Sequence, residues 1–566
     1  MRRRIVLAGL VTLVVSGSAA CGGGGGSSGA TKAPAAKSGV NAIAATARGS
    51  VKQGGQFVWP VTEIAPNFNF NELDGTNADG ARVINALMPR LFIIDAAGSP
   101  HWNKDYLASE PVLKTDPKQV VTFDFNPKAN WYDGTPITWE DLFSQWKANN
   151  GENPAYKISS SNGWKSIESI VKGKDDRQAV VTFKDKYADW QPLFNVFYPK
   201  STNADPAVFN EGWIDKIPTT AGPFKFSALD KTAQTITLVP NEKWWGNKPK
   251  LDKIIFKVVD DTAQADALAN GEIDFMDIGA NVNSYKRAKT LTDKIDLRRA
   301  GGPNFRHITI NAARPQLSDK SVRQALAMAI NRQTLGKALL QPLDIEPQVL
   351  NNHIFMTNHG AYKDNAGAVG RFDPAKAKSM LDAAGWKLDG DIRKKDGAPL
   401  AINFVIPANV QASKQESELI QSMLKDVGVT VTIKAVPLAD FFDKYITPGD
   451  YDFTVFSWLG TAFPVSSTES VYKKPVPDDK GQLQIEQNYA RVGSDEIDKL
   501  FAQATAELDK TKQNEIGNKI DAALWNEVGV LPMYQRPDLA AVRKDVVNFG
   551  AFAYASVIYE DIGYKQ

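Results

Sequence analysis

Few groups in this chain could make or break a covalent bond. The histidines are His101, His307, His353 and His359, and none stands in the H-E-x-x-H array that sets two imidazoles around a metal. His353 and His359 are six residues apart, a spacing that does not suit one helical face. There is no P-loop, and the single cysteine, Cys21, sits beside an N-terminal apolar run rather than in a foldable segment. A G-x-S-x-G string, Gly25 to Gly29, has the letters of a hydrolase nucleophile elbow. That elbow works only between a strand and a helix, and this one lies in a glycine tract. The 64 acidic residues always offer paired carboxylates, so a secreted hydrolase stays open as a remote reading. The residue types favour binding over catalysis: no catalytic residue, metal or cofactor is expected.

Binding chemistry is better represented. Tyr451 to Pro464 reads Y-D-F-T-V-F-S-W-L-G-T-A-F-P. Its first half is an apolar run with Phe453, Val455 and Phe456, long enough for one buried strand. Gly460 and Pro464 then break the run and carry Trp458 and Phe463 toward a loop. Large rings at the end of a strand either line a cleft or finish a core, and the local sequence does not separate the two.

The elements around this stretch alternate. Phe57 to Trp59 reads as a strand, and Ala81 to Leu91 has helical spacing at Val83, Ile84, Leu87 and Met88. Val121, Phe123 and Phe125 alternate with polar residues, and Thr138 can cap a helix bearing Leu142, Phe143 and Trp146. Strands are expected at Val180 to Phe183, Phe224 to Phe226, Ile236 to Val239 and Ile254 to Val259. Asp319 or Ser318 can cap a helix through Val322 and Leu326. Asp373-Pro374 opens another that Gly385 stops, and Leu419 to Val427 is a third, stopped by Gly428. Val429, Val431 and Ile433 then alternate as a strand, which completes an α/β pattern.

The N-terminus reads as a processing segment. Arg2 to Arg4 form a positive region, Ile5 to Val15 an apolar one, and Ser18-Ala19-Ala20 supply small residues for cleavage. Residues 1–20 are therefore a signal peptide, and residues 21–50, rich in Gly, Ser and Ala, a flexible tether. Cys21 directly after the small residues resembles the lipid-attachment cysteine of bacterial lipoproteins, with Ser18 where that motif carries Leu. A net charge of +2 excludes a strong field for nucleic acid.

Six punctuated pieces, in order, resemble the oligopeptide- and dipeptide-binding family of bacterial ABC-importer solute-binding proteins. They are N-W-Y-D-G-T-P-I-T-W-E-D-L (Asn130 to Leu142), T-A-G-P-F-K-F (Thr220 to Phe226), N-E-K-W-W (Asn241 to Trp245), N-G-E-I-D-F (Asn270 to Phe275), S-V-R-Q-A-L-A-M-A-I-N-R (Ser321 to Arg332) and F-D-P-A-K-A-K-S-M-L-D-A-A-G (Phe372 to Gly385). The resemblance implies a type II periplasmic-binding-protein fold, two lobes joined by a hinge plus an extra small α/β domain. The main lobe would comprise 51–94, 199–305 and 533–566, the small domain 95–198 and the opposite lobe 306–532.

The resemblance also implies an extracytoplasmic, lipid-anchored monomer at the cell membrane. It would capture peptides or another small solute for ABC permease and ATPase subunits. In that family the loop after the Trp458 position carries an aspartate that pairs with the peptide's amino terminus. Here the position is Thr461, which is neutral, so another acid takes over or the ligand differs: an oligosaccharide, a metal chelate, or a blocked or signalling peptide. Trp458, Thr461 and Phe463 are the candidate contacts, with Phe305, Trp59 and Asn162 as further walls or amide donors; for the last three, core packing or an exposed loop is the competing reading.

Overall fold

Four β-sheets carry the fold, and the chain crosses twice between two of them. The structure, a computed structural model, describes residues 40–478 and 481–566, so Cys21 and the signal segment lie outside the described residues. The first sheet pairs Gln56–Val61 in parallel with Lys253–Val258, followed by antiparallel Thr235–Pro240 and Phe224–Asp230. A smaller sheet places Asp538–Arg543 between Phe275–Asp277 and Ile295–Ala300. A five-stranded sheet runs in the order Thr430–Val436, Ala401–Pro407, Phe453–Trp458, Phe305–Ile310, Val530–Gln535. The strand at its centre, Phe453–Trp458, is buried over its first four residues, as its unbroken apolar run requires.

The fourth sheet belongs to a separate unit within the chain: Val112–Lys114, Val120–Asp124, Gln178–Phe183 and Ile167–Lys172, in that order. Val121 and Phe123 face inward while their neighbours stay half exposed, the alternation read from the sequence. Helix Trp139–Asn149 packs on this sheet, and its first turn is tied down where the Thr138 amide donates to Asp141 Oδ2 at 2.9 Å.

The two crossings lie side by side. Residues 301–304 lead from the three-stranded into the five-stranded sheet, and residues 536–537 lead back. The Arg536 amide donates to the Asn304 carbonyl at 2.8 Å, pinning one crossing to the other.

Three expectations need correction. The helix expected over 81–91 is Ala78–Ile84. Asn77 caps it through the amides of Asp79 and Gly80, and Pro89 cannot continue it. The Leu87 carbonyl is instead taken by the amides of Ala221 and Gly222. The helix expected from Leu419 begins eight residues earlier, at Gln411. The tether expected to reach Ser50 is docked in its last residues: Ala42 pairs with Ala551, the Asn548 side chain clasps Thr46, and Arg48 pairs with Asp561.

Candidate functional site

A cavity of about 710 Å³ opens where the small unit, the first sheet's surroundings and the loop after Phe453–Trp458 meet. Asn85 and Arg90 line it from the chain following the first helix, Asn162 and Asp189 from the small unit, and Thr461 and Phe463 from the loop. The C-terminal segment Tyr554 to Tyr559 closes another side. Much of the wall is loop, as at Asn71, Asn162, Asp189 and Thr461, and those positions carry no periodic signal.

The polar groups are incompletely satisfied. Asn71 Nδ2, Asn162 Oδ1 and Asp189 Oδ2 are buried with no hydrogen-bond partner, and all three residues line the cavity. That gives one donor and two acceptors, groups that an amide backbone can satisfy. Asp189 is 4% exposed, and its other oxygen lies 3.5 Å from Lys510 Nζ. Arg90 donates to the Val557 carbonyl at 2.9 Å and lies 5.7 Å from the centre of the Tyr559 ring. Burial pushes the hydroxyls of Tyr554 and Tyr559 up to about 12, so both stay neutral near pH 7.

The structure separates the candidates read from sequence. Thr461, Phe463 and Asn162 come together on the large cavity. Thr461 is exposed, and its Oγ1 accepts from the Phe463 amide at 3.0 Å, shaping the loop. Trp458 is not among the lining residues. Its ring runs parallel to His307 and Tyr489, with centroids 5.7 and 5.8 Å away, and Phe456 meets it edge-on. Both faces of this half-buried ring lie against protein rings, while its Nε1 is buried without a partner. Burial and the neighbouring Arg306 hold His307 well below the usual imidazole range, so an uncharged ring packs beside Trp458. Phe305, 3% exposed, lies opposite Trp458 in the sheet and packs with Leu350 and Met356. Trp59, 4% exposed, is held among Phe256, Phe549 and Tyr559 and borders a smaller neighbouring cavity.

Sequence reasoning missed Asn71, Asp189 and the Tyr554 to Tyr559 segment. They lie far apart in the chain, and only the tertiary fold gathers them on one cavity.

Two α/β lobes joined by paired crossings, with a cavity of partly unsatisfied polar groups among their loops, define a binding protein that holds a solute in a cleft. Comparisons narrow the class. The profile described as bacterial extracellular solute-binding proteins, family 5 Middle, matches residues 104–475. The oligopeptide-binding protein OppA of Mycobacterium tuberculosis is 39% identical over 521 residues, covering 91% of this chain and 86% of that protein. A solved structure of the periplasmic EDTA-binding protein EppA has a TM-score of 0.84 at 25% identity, covering 94% of this chain and 100% of that one. The oligopeptide-binding protein AppA from Bacillus subtilis, in complex with a nonapeptide, has a TM-score of 0.80 at 21% identity over 91% of this chain and 100% of that one. The chain belongs to family 5 of the bacterial extracellular solute-binding proteins, and its fold is the type II periplasmic-binding fold.

Proposed function

We propose that this protein captures oligopeptides outside the cytoplasmic membrane and presents them, chemically unchanged, to the permease and ATPase subunits of an ABC importer. The observation that carries this reading is the large cavity with the unpartnered Asn71 Nδ2, Asn162 Oδ1 and Asp189 Oδ2 around it. An extended peptide offers a carbonyl and an N–H at nearly every residue, so it satisfies orphaned donors and acceptors with little regard to side chain. The similarity to OppA, over 91% of the chain, supports the same cargo class. The division into a discontinuous main lobe, a small domain over 95–198 and an opposite lobe over 306–532 belongs to this proposal. So do a monomeric state and anchoring through a lipidated Cys21.

Native mass spectrometry of the Cys21→Ser protein as purified tests the reading. We expect a ladder of co-purifying peptide masses released on denaturation. A single non-peptide mass, such as an oligosaccharide or a metal chelate, would keep the fold and overturn the cargo.

A further inference from the structure

Where the small unit meets helix Pro464–Ser467 and residues 505–510, one corner of the large cavity holds two acceptors left open. Asp189 is 4% exposed, and its Oδ2 is buried with no hydrogen-bond partner. Asn162 leaves its Oδ1 in the same state. The two segments touch, because a Cβ on Gly163 would lie 2.6 Å from the Tyr187 ring. The Tyr187 hydroxyl is in turn hydrogen-bonded to Ser466, which lines the cavity from the other side. Buried acceptors in this state call for a donor.

Lys510 does not fill that role. Its Nζ stands 3.5 Å from Asp189 Oδ1, the other oxygen, and donates to Gln513 Oε1 at 2.8 Å. Its side chain is 54% exposed, so water carries much of its charge. The charges nearby, Lys165 and Lys473 against Glu469 and Glu486, cancel in number. The demand is therefore local and directional, one carboxylate oxygen and one amide oxygen, rather than a general field.

A backbone N–H can reach such an oxygen but brings no charge to a buried carboxylate. A guanidinium brings both, a planar fork of several N–H donors and a permanent positive charge. Its bonds to a carboxylate are about twice as strong as neutral ones. Trp164, Tyr187, Leu193 and Phe463 also line the cavity, and such apolar surface suits the aliphatic stem of a long side chain.

Resting on the peptide reading, we propose that this corner is a side-chain subsite for arginine, whose guanidinium donates to Asp189 Oδ2 and Asn162 Oδ1. Capture stays broad elsewhere along the peptide, where backbone groups are held, and one position is read by its side chain. An arginine seated here lies between the small unit and Ser466, so it bears on both sides of the contact.

Isothermal titration tests the subsite with penta-alanine carrying a single arginine at each position in turn. Each peptide is matched to the same one with citrulline, the uncharged isostere. The termini are identical within each pair, so their contribution cancels. We expect arginine to bind at least about tenfold tighter than citrulline at one position or more. Asp189→Asn should bring that ratio to within about twofold. A ratio within about twofold at every position of the unmodified protein overturns the subsite and leaves peptide capture standing. Binding of none of the peptides overturns both. A ratio that survives Asp189→Asn seats the guanidinium elsewhere and overturns the assignment. If Asp189→Asn fails to fold by circular dichroism, Lys510→Gln replaces it. Without the competing ammonium the ratio should rise, and an unchanged or smaller ratio overturns the assignment.

Discussion

Glu416 shows how much one polar residue can decide. It is fully buried, pairs with Arg306 through both carboxylate oxygens, and accepts from the Tyr534 hydroxyl at 2.6 Å, while Ser413 accepts from the same guanidinium at 3.0 Å. Paired, the group fixes helix Gln411–Lys425 against the five-stranded sheet. Glu416→Ala strands a guanidinium in the core, so we expect a loss of about 3–5 kcal/mol in urea unfolding. A loss below about 1 kcal/mol would mean that water reaches Arg306 and that the network is not sealed. Asp538 is the opposite case. Its carboxyl is raised from the ordinary value of 3.8 to about 7, so the folded state binds the extra proton between those values. Its charge therefore opposes folding above about pH 7, and the penalty fades as pH falls toward 4. Asp538→Asn should raise the melting temperature near pH 8 and change it little near pH 4. An unchanged melt at the higher pH would mean that the carboxylate is already neutralised.

Among the elements, the loop after Phe453–Trp458 lies tightly against the crossing at 301–304. A Cβ on Gly460 would collide with the Pro303 carbonyl oxygen, so only glycine lets this loop lie against the crossing. We expect Gly460→Ala to cost about 1–3 kcal/mol and to weaken peptide binding by displacing Thr461 and Phe463 from the cavity wall. Calorimetry and titration on one preparation check both effects; wild-type affinity despite lost stability would remove the loop from the binding surface. This strand and its break at Gly460 were legible because a continuous apolar run and a helix breaker are local signals. Trp458 was only half legible: its partners His307 and Tyr489 are distant in sequence, so cleft lining and core packing looked alike. The first half of helix Gln411–Lys425 was invisible for a related reason. Its buried residues include Ser413, Glu416 and Ser417, turned inward where Arg306 takes Ser413 and Glu416, and hydrophobic periodicity does not register a polar inward face. Asp189 and Asp538 lie outside any apolar period altogether, and only the fold gives them neighbours.

For the whole molecule, the decisive geometry is a seam between the small unit and residues 505–510. The Ala188 amide of the small unit donates to the Thr505 carbonyl at 2.6 Å, and Asp189 lies 3.5 Å from Lys510. Nearby, Lys165 of the small unit meets Lys473, Glu469 and Glu486; burial lowers Lys165 and raises Glu486, so the seam is partly dehydrated. The crossings at 301–304 and 536–537 are short, and they are the natural place for a rotation that opens this seam. A ligand that binds only the closed form stabilises it by RT ln(1 + [L]/Kd), about 2.7 kcal/mol at a hundredfold excess over Kd. Hydrogen exchange at Ala188 and across 460–470 should therefore slow by up to about a hundredfold with saturating peptide. Strand Val120–Asp124, buried within the small unit's own sheet, should not respond. Equal protection of Ala188 with and without peptide would make the seam permanent. The ligand would then have to enter and leave through the open side of the cavity, and capture would not be coupled to closure of the lobes.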